Sequence, residues 1–460
     1  MIARELAGWA LALDRVPDDV AAAATRHLLD GFGTALGALR TGAAGPAVEV
    51  ARGLGGPPEA AVLGTGELLS APAAALANGT LVHALDFDDT HAGGLVHATA
   101  VVLPAAFAVG QQTGASGREI LTAAVAGYET ACRVAAAAPH GFHARGLHAT
   151  MVAGVFSAAL IGARLLGLDA GRAANALGIA GSQAGGLLAF LGTGASTKQL
   201  HPGFASQSGI IAARLAAAGA TGPETVFDGP HGVFDALSAH PADPASIVAG
   251  LGERWETTRI GIKPYAACQL SHATIGAVLD AMARERFGPG DVAGVRARVH
   301  PDSAPVVCDD SRDLTRPASP YAAKFSLPWT VAALITDGAL TLETFDPASI
   351  ARPEVTRLAA RVRWDVAGGP GVAADAPGHV TITLGDGREV TGSVPRSEGG
   401  GDFPLGRAAL LAKFTGNAGV PAADAEAFAR AVETLGAQPD AAAVMRAAAG
   451  LARLTQQENG

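Results

Sequence analysis

The 460-residue chain carries a net charge of −9 and is 49% hydrophobic but only 5% aromatic. A nucleic-acid surface needs a basic field, so this charge argues against nucleic-acid binding and requires any anionic ligand to be attracted by a local cluster. The three cysteines have no Cys-x-x-Cys spacing, which indicates a reducing, cytoplasmic setting and gives no support for a zinc or iron–sulfur site.

No segment is expected to enter a membrane. The start of the chain lacks the long apolar run of a secretory leader. The uncharged run 176–197 is long enough to cross a bilayer, but it holds six glycines and several hydroxyl groups and is followed by Lys198. We therefore interpret this run as a buried segment of a soluble protein.

The first 250 residues predict helices and almost no strand. An apolar stripe follows Pro17, and Ser116-Gly-Arg-Glu119 has the pattern of a capping box that opens a long helix to about residue 138. Further helices are expected at 18–39, 71–85, 101–112, 148–167, 170–186 and 203–219.

The pattern changes after about residue 260. Val295–Val299 and Val362–Val366 alternate apolar and polar residues, and 379–384 with 388–394 flank a Gly-Asp-Gly turn as in a β-hairpin. Helices are expected at 272–286, 321–337 and throughout 404–460. The sequence therefore predicts a mainly α fold with an α+β part: a large all-helical domain, 1–260 completed by 404–460, interrupted by a smaller α+β domain, 261–403.

Polar residues with catalytic potential are concentrated in a loop at 83–97. Three carboxylates and three imidazoles occur there within fifteen residues, in a chain that is only 16% charged. Apolar neighbours shift the pKa of such groups, so the loop is interpreted as one wall of an active site. Alternatively, the carboxylates cap the next helix, or Asp86-Phe-Asp-Asp89 binds magnesium as in Asp-rich terpene synthases.

Four other stretches carry similar potential. They are Arg145–Thr150 with His148, Gly192–Gly203 with Lys198, Ile262–His272 with Lys263 and Gln269, and Ala323–Trp329. The glycine-rich stretch lacks the Gly-Lys-Ser/Thr ending of a phosphate-binding P-loop. Only four of the 33 basic residues are lysines, and we predict that these lysines sit where a compact ammonium group is needed.

The stretches together resemble the MmgE/PrpD family. The matching residues are Asp86-Phe-Asp-Asp-Thr90 with His97, Gly146-Leu-His148-Ala-Thr150, Thr197-Lys198-Gln-Leu-His201, Lys263-Pro-Tyr with His272, and Ala323-Lys-Phe-Ser-Leu-Pro. They occur in the family's order over nearly the whole chain. The family includes 2-methylcitrate dehydratase, cis-aconitate decarboxylase and an iminodisuccinate epimerase.

The resemblance implies a helical domain with an inserted α+β lid and an active site between them. It makes Asp86, Thr90, His97, His148, Lys198 and His272 the expected catalytic set. It adds His91, Lys263, Gln269, Tyr321 and Trp329 as expected substrate-binding residues. Trp329 stands where many relatives carry tyrosine, and Tyr321 is a candidate to replace that phenol.

The implied activity is that of a cofactor-independent, metal-independent carbon–oxygen lyase. We expect it to dehydrate a 2-methylcitrate-like hydroxy acid by acid/base catalysis, with decarboxylation or epimerisation of a related acid as alternatives. The remaining alternatives are a metal-dependent Asp-rich enzyme and a non-catalytic relative that binds a carboxylate. The resemblance also implies a homodimer.

Overall fold

The computed structural model describes residues 1–368, 372–440 and 442–458. The chain forms two compact units: Met1–Leu188, Thr197–Ile262 and Gly406–Gly460 make the first, and Ala189–Ser196 with Lys263–Leu405 make the second. Residues 369–371, 441 and 459–460 of the two predicted domains lie outside the described residues. The fold is mainly α with an α+β part, as predicted.

The first unit is built from helices and two short antiparallel strand pairs. Its helices before the second unit are α1 (Ile2–Ala12), α2 (Asp18–Thr41), α3 (Gly45–Gly53), α4 (Ala71–His83), α5 (Thr99–Thr113), α6 (Gly117–Ala136), α7 (Gly141–Ala144), α8 (Ala149–Leu165), α9 (Ala170–Gly181), α10 (Thr197–Ala217) and α11 (Val233–Leu237). The strand pairs are β1 (Ala60–Ala61) with β2 (Leu68–Leu69), and β3 (Thr90–His91) with β4 (Ile260–Gly261).

Local signals account for several helix boundaries. The predicted capping box begins α6: the Ser116 hydroxyl accepts from the Glu119 N–H, and the Glu119 carboxylate accepts from the Ser116 N–H. Helix α10 begins six residues earlier than predicted and continues through Pro202. A proline in the second turn removes only one intrahelical hydrogen bond, so the helix tolerates it there. Lys198 therefore lies in the first turn of α10 rather than in a loop.

Small residues let the central helices approach closely. A Cβ on Gly79 of α4 would lie 2.7 Å from the Cα of Gly203 on α10, and a Cβ on Gly203 would lie 2.4 Å from the carbonyl oxygen of Leu76. A Cβ on Gly154 of α8 would lie 3.1 Å from the Cβ of Ala205 on α10. Since protein interiors are close-packed, these positions set the distance between the helices that carry the candidate site.

The second unit contains a four-stranded sheet. Its elements are α12 (His272–Arg284), β5 (Val292–Val299), α13 (Ala304–Val307), α14 (Pro320–Ala323), α15 (Leu327–Asp337), α16 (Pro347–Ile350), α17 (Pro353–Ala359), β6 (Val362–Val366), β7 (Gly378–Leu384) and β8 (Glu389–Val394). The strand order is β6-β5-β7-β8, with β5 and β6 parallel and the other neighbours antiparallel. A Cβ on Gly378 or Gly392 would lie 1.9 Å from a carbonyl oxygen of α12, so glycines let this helix lie against the sheet.

The structure differs from the sequence analysis in two places in this unit. The predicted helix 321–337 is divided into α14 and α15, because the Ser326 hydroxyl accepts from the Trp329 N–H and caps a new helix. Residues 189–196 were assigned to the helical domain but group with the second unit. There the Phe190 ring lies 6.4 Å from the Phe325 ring.

The chain returns to the first unit with α18 (Arg407–Ala418), α19 (Ala422–Glu433) and α20 (Ala442–Glu458). Helix α18 packs against α2, where a Cβ on Gly33 would lie 2.9 Å from the Phe414 ring. Within the described residues, no helix combines the length and apolar character needed to cross a bilayer.

Candidate active site

The candidate site is built around the loop that joins α4 to α5. Although it carries three aspartates, the loop is buried, with Asp86, Asp88 and Asp89 all 0% exposed. Asp89 holds the end of the loop against α5: its carboxylate accepts from the Thr99 N–H (3.1 Å) and from the Thr99 hydroxyl (2.5 Å). Buried polar groups require such partners, which explains how a polar segment is kept inside the protein.

Lys413 fixes the same loop from the C-terminal part of the chain. Its ammonium on α18 donates to the carbonyl oxygen of Phe87 (2.7 Å) and pairs with the carboxylate of Asp30 on α2 (2.6 Å). The Lys413 nitrogen also lies 4.0 Å from the centroid of the Phe87 ring. The loop backbone is thus attached to two helices distant in sequence.

Asp86 and Lys198 form a buried ion pair. The Lys198 ammonium donates to the Asp86 carboxylate at 2.6 Å, and the two residues are 6% and 0% exposed. Asp86 has a φ of +50°, a left-handed conformation that costs energy for a non-glycine residue. The close approach of α4 and α10 supports this pair across 112 positions of sequence.

His97 is oriented by the loop backbone. Its Nδ1 lies 2.8 Å from the carbonyl oxygen of Asp89 and 3.2 Å from the hydroxyl of Thr90. A carbonyl can only accept, so Nδ1 carries the proton and Nε2 is left with its lone pair. The His97 backbone N–H donates to the Thr150 hydroxyl (3.1 Å), which connects the loop to α8.

His148 is the residue that precedes α8. Its backbone N–H donates to the Gly186 carbonyl (2.7 Å), its Nε2 lies 3.1 Å from the Thr150 hydroxyl, and its Nδ1 lies 3.1 Å from Nδ1 of His201. Burial, and then the charge of Lys198, lower the pKa of His148 well below its usual value. The same two causes, with His83, lower the pKa of His201 to about 4.

His83 and Asp88 lie beside His97 and His148, although neither was among the predicted catalytic residues. His83 ends α4, and its Nδ1 lies 2.8 Å from the Asp88 carboxylate. Its ring centroid lies 4.7 Å from that of His97 and 5.7 Å from that of His148. The spacing of a histidine at a helix end and an aspartate five residues later is a signal for this pair, whereas the sequence predicted Asp88 only as a supporting or capping residue.

A second buried network lies behind the loop. Burial raises the pKa of Asp89 to about 8 and lowers the pKa of His27 to about 4. The Thr99 hydroxyl, which contacts Asp89, also lies 2.7 Å from the Tyr128 hydroxyl. The raised pKa favours the protonated form of Asp89 near neutral pH, and Thr99 supplies its hydrogen bonds within the core.

His91 is held within the loop region by both ring nitrogens. Nε2 lies 2.9 Å from the Glu256 carboxylate, and Nδ1 accepts from the Gly94 N–H at 3.2 Å. Burial raises the pKa of Glu256, but hydrogen bonding to His91, together with the charges of His91 and nearby arginines, outweighs it and lowers this pKa to about 2. The structure thus shows His91 in a contact that fastens the loop.

The other predicted site residues lie in the second unit. His272 begins α12 and its Nε2 lies 3.0 Å from the Ala267 carbonyl. Gln269 donates to the Ala374 carbonyl and the Ser397 hydroxyl (both 3.2 Å), and Lys263 is 1% exposed.

The two aromatic candidates are also buried in that unit. Trp329 is 0% exposed, and its ring centroid lies 5.6 Å from that of Phe345. Tyr321 is 9% exposed and packs against Phe325, with ring centroids 5.4 Å apart. Their predicted contact with substrate stays a prediction.

Two groups of side chains in the first unit have the composition and spacing to hold a metal ion. One is His83, His97 and His148; the other is His83, Asp86, Asp88 and His97. In each group one possible ligand atom per residue lies within 4.8 Å of the others. Imidazole nitrogens and carboxylate oxygens suit zinc or other divalent transition metals.

The arrangement is equally suited to proton transfer without a metal. Five of the six predicted catalytic residues, Asp86, Thr90, His97, His148 and Lys198, belong to the first unit, where contacts link Asp86 to Lys198 and Thr90 to His97. Imidazoles exchange protons near neutral pH, and a buried ammonium stabilises a nearby anion. The cluster can therefore move a proton beside a bound carboxylate.

The chain is similar to known proteins over most of its length. The family model for the MmgE/PrpD N-terminal domain matches residues 4–244, and that for the MmgE/PrpD C-terminal domain matches residues 265–437. A cis-aconitate decarboxylase of Aspergillus terreus is 29% identical over 445 residues, covering 91% of this chain and 89% of the relative. The human cis-aconitate decarboxylase is 28% identical over 364 residues, covering 75% of this chain and 72% of the relative. The two domain matches together cover most of the sequence, and the chain belongs to the MmgE/PrpD family.

Proposed function

We propose that this protein is a cofactor-independent lyase that acts on a small polycarboxylate. The observation that carries the proposal is the buried cluster of His97, His148 and Lys198. Within it, burial and the positive charge of Lys198 lower the pKa of His148. An ammonium group in such a setting binds a substrate carboxylate more strongly than it would in water, because the surrounding dielectric constant is low. Family membership supports the reaction class.

The proposed chemistry develops negative charge on a carbon next to a carboxylate. Lys198 binds that carboxylate and stabilises its enolate-like form, while His97 and His148 transfer protons. Asp86 orients the Lys198 ammonium, and the Thr90 hydroxyl orients His97.

The specific reaction we propose is dehydration of a 2-methylcitrate-like hydroxy acid. One imidazole takes the α-proton, and a second group protonates the departing hydroxyl to give water. Decarboxylation of a related tricarboxylate is the second candidate, because the relatives described above are named cis-aconitate decarboxylases. In that case carbon dioxide leaves and the cluster protonates the remaining carbanion.

A substrate panel tests the proposal. The protein is incubated with 2-methylcitrate, citrate, cis-aconitate and iminodisuccinate, while alkene absorbance, carbon dioxide release and chirality are followed together. Dehydration raises the alkene absorbance without releasing carbon dioxide, decarboxylation releases carbon dioxide, and epimerisation changes the chirality with neither of the other two signals. Binding of these acids without turnover would contradict the proposal and favour a non-catalytic carboxylate-binding protein.

Metal dependence is tested in the same assay. We expect full activity after dialysis against EDTA. Loss of activity that zinc or magnesium restores would instead assign a catalytic ion to the histidine and aspartate groups described above.

We further propose that the enzyme acts as a cytoplasmic homodimer. The three cysteines are free and buried, which suits a reducing compartment, and the dimer is proposed from the family resemblance. Phe204, Ile211 and Leu215 expose an apolar stripe of α10 that could supply a contact. Light scattering should give twice the mass of the chain, and a monomeric, fully active protein would contradict the dimer.

A further inference from the structure

Among the neighbouring histidines His83, His97, His148 and His201, His83 has a carboxylate at hydrogen-bonding distance. Its Nδ1 lies 2.8 Å from the Asp88 carboxylate, and both residues are 0% exposed. An ionised carboxylate only accepts hydrogen bonds, so the Nδ1 of His83 carries a proton and its Nε2 presents a lone pair. A paired carboxylate also stabilises the positive charge that appears when such an imidazole gains a second proton.

The other nitrogen of His83 is available for that proton. Within the described part of the chain, Nε2 of His83 is buried without a hydrogen-bond partner. A buried basic atom left in this state costs free energy. Such a cost is expected where a site is arranged for a ligand or for a proton that is transferred.

The surrounding rings converge on one small volume. One ring nitrogen from each of His83, His97 and His148 lies within 4.8 Å of the other two. Nitrogens that hydrogen-bond to the same oxygen at about 2.8 Å lie about 4.5 Å apart when the angle at the oxygen is tetrahedral. The spacing is that of imidazole nitrogens close enough to share contacts with one small ligand group.

The neighbouring histidines have different hydrogen-bond partners from those of His83. His97 directs Nδ1 to a backbone carbonyl, and both nitrogens of His148 have hydrogen-bonding neighbours, one of them on His201. Asp88 also lies 3.8 Å from Nδ1 of His97, so its charge acts on both rings. Of these four histidines, His83 is the one whose Nδ1 contacts a carboxylate at 2.8 Å.

We propose that His83 is a catalytic residue, and that its Nε2 exchanges a proton with the substrate carbon next to the carboxylate while Asp88 stabilises the imidazolium. This inference rests on the proposed function. In dehydration the C–H bond breaks, its proton goes to Nε2, and its electron pair forms the alkene as hydroxide leaves and is protonated by a second group. In decarboxylation the C–C bond breaks, its electron pair stays on carbon, and protonated His83 delivers the proton there.

The test compares three single variants of the full-length protein on whichever acid of the panel is converted. His83→Gln removes the titrating nitrogen, and Asp88→Asn keeps an oxygen to accept from Nδ1 but removes the charge. His27→Gln is the matched control, since His27 is also buried in the first unit but bonds through Nε2 to the Thr257 carbonyl. Circular dichroism and thermal unfolding establish which variants fold.

We expect His83→Gln and Asp88→Asn to lower kcat by about 10²-fold or more with little change in KM, as for other acid/base residues. The control should stay within a few-fold of wild type. Deuterium uptake at the reacting carbon in D2O should fall together with kcat. In Asp88→Asn the limb of the kcat–pH profile that reports His83 should move to lower pH, because the imidazolium has lost its counter-charge.

Each outcome decides the proposal. A folded His83→Gln protein with near-normal kcat would overturn it and leave the proposed function standing. If His83→Gln does not fold, Asp88→Asn decides: lower activity with an unmoved pH limb means that the pair is only structural. A wild-type protein that converts no polycarboxylate would overturn the proposed function, and this proposal with it.

Discussion

Replacement of Lys198 by methionine should destabilise the first unit strongly. Methionine has a similar length but no charge, so it leaves the Asp86 carboxylate in a site where that residue is 0% exposed. The Lys198 ammonium and the Asp86 carboxylate lie 2.6 Å apart. At an effective dielectric constant of about 20, two unit charges at that distance attract by about 6 kcal/mol. Desolvation of both groups opposes this attraction, and removal of one partner of a buried pair typically costs about 3–5 kcal/mol.

A double-mutant cycle separates the pair from other effects of the substitutions. Lys198→Met and Asp86→Asn should each lower the free energy of unfolding, and the double variant should lose less than the sum, with a coupling of about 1–3 kcal/mol. Arg52→Met is the control. The Arg52–Glu67 pair is as close, at 2.7 Å, but is 51% and 38% exposed, so its loss should cost less than about 1 kcal/mol.

The assay is urea unfolding followed by circular dichroism, with hydrogen–deuterium exchange of peptides from α4 and α10 to locate the effect. Exchange should rise in both helices when either charge is removed alone. A stabilising buried pair is refuted if Lys198→Met lowers the free energy of unfolding no more than Arg52→Met does. It is also refuted if the effects of Lys198→Met and Asp86→Asn are additive.

The remaining predictions concern catalysis, pH and packing. His97→Ala and His148→Ala should each lower turnover by about 10²-fold or more while circular dichroism stays unchanged; a folded variant with normal turnover would remove that residue from the mechanism. Burial raises the pKa of Asp89 to about 8, so the folded protein holds this proton more tightly than the unfolded chain does. The contribution of Asp89 to the free energy of unfolding is therefore greatest below about pH 4 and is lost as the pH rises toward 8. Asp89→Asn, which imitates the protonated acid, should therefore gain on wild type by up to about 1.4 kcal/mol per pH unit between pH 5 and 8; a pH-independent difference in urea unfolding would mean that Asp89 is ionised. Gly203→Ala should lower the unfolding free energy by about 1–3 kcal/mol, because the new Cβ would lie 2.4 Å from a backbone oxygen. Gly416→Ala, at an open position on a helix surface, should instead raise the unfolding free energy by about 0.5–1 kcal/mol. Equal effects of the two substitutions on thermal unfolding would contradict the close packing of α4 and α10.

Local chemistry made the secondary structure readable from the sequence. The capping box at Ser116, the alternation at Val295–Val299 and the Gly-Asp-Gly turn before residue 388 each correspond to the predicted element. The predicted start of α10, residue 203, was wrong by six residues: the helix includes Pro202, where only one hydrogen bond depends on the missing N–H.

The candidate site was readable only in part. Scarcity of lysine was a useful signal, since the side chains of Lys198, Lys263, Lys324 and Lys413 are all at least nine-tenths buried. The contacts of Lys198 with Asp86 and of His83 with its neighbouring rings depend on how distant helices pack, which periodicity does not encode. Asp88 was predicted only as a supporting or capping residue, because a carboxylate before a helix has the same local pattern whether it caps the helix or orients a histidine.

The attachment of Lys413 to the Phe87 carbonyl has a consequence for biosynthesis. These residues are 326 positions apart, so the loop that carries Asp86 lacks this attachment until the final helices have left the ribosome. At about 5–20 residues per second, a nascent chain spends tens of seconds with α2 and the loop made but Lys413 absent. Early segments are then exposed to misfolding or chaperone binding, and truncation before α18 should yield a chain in which this loop lacks its attachment to Lys413.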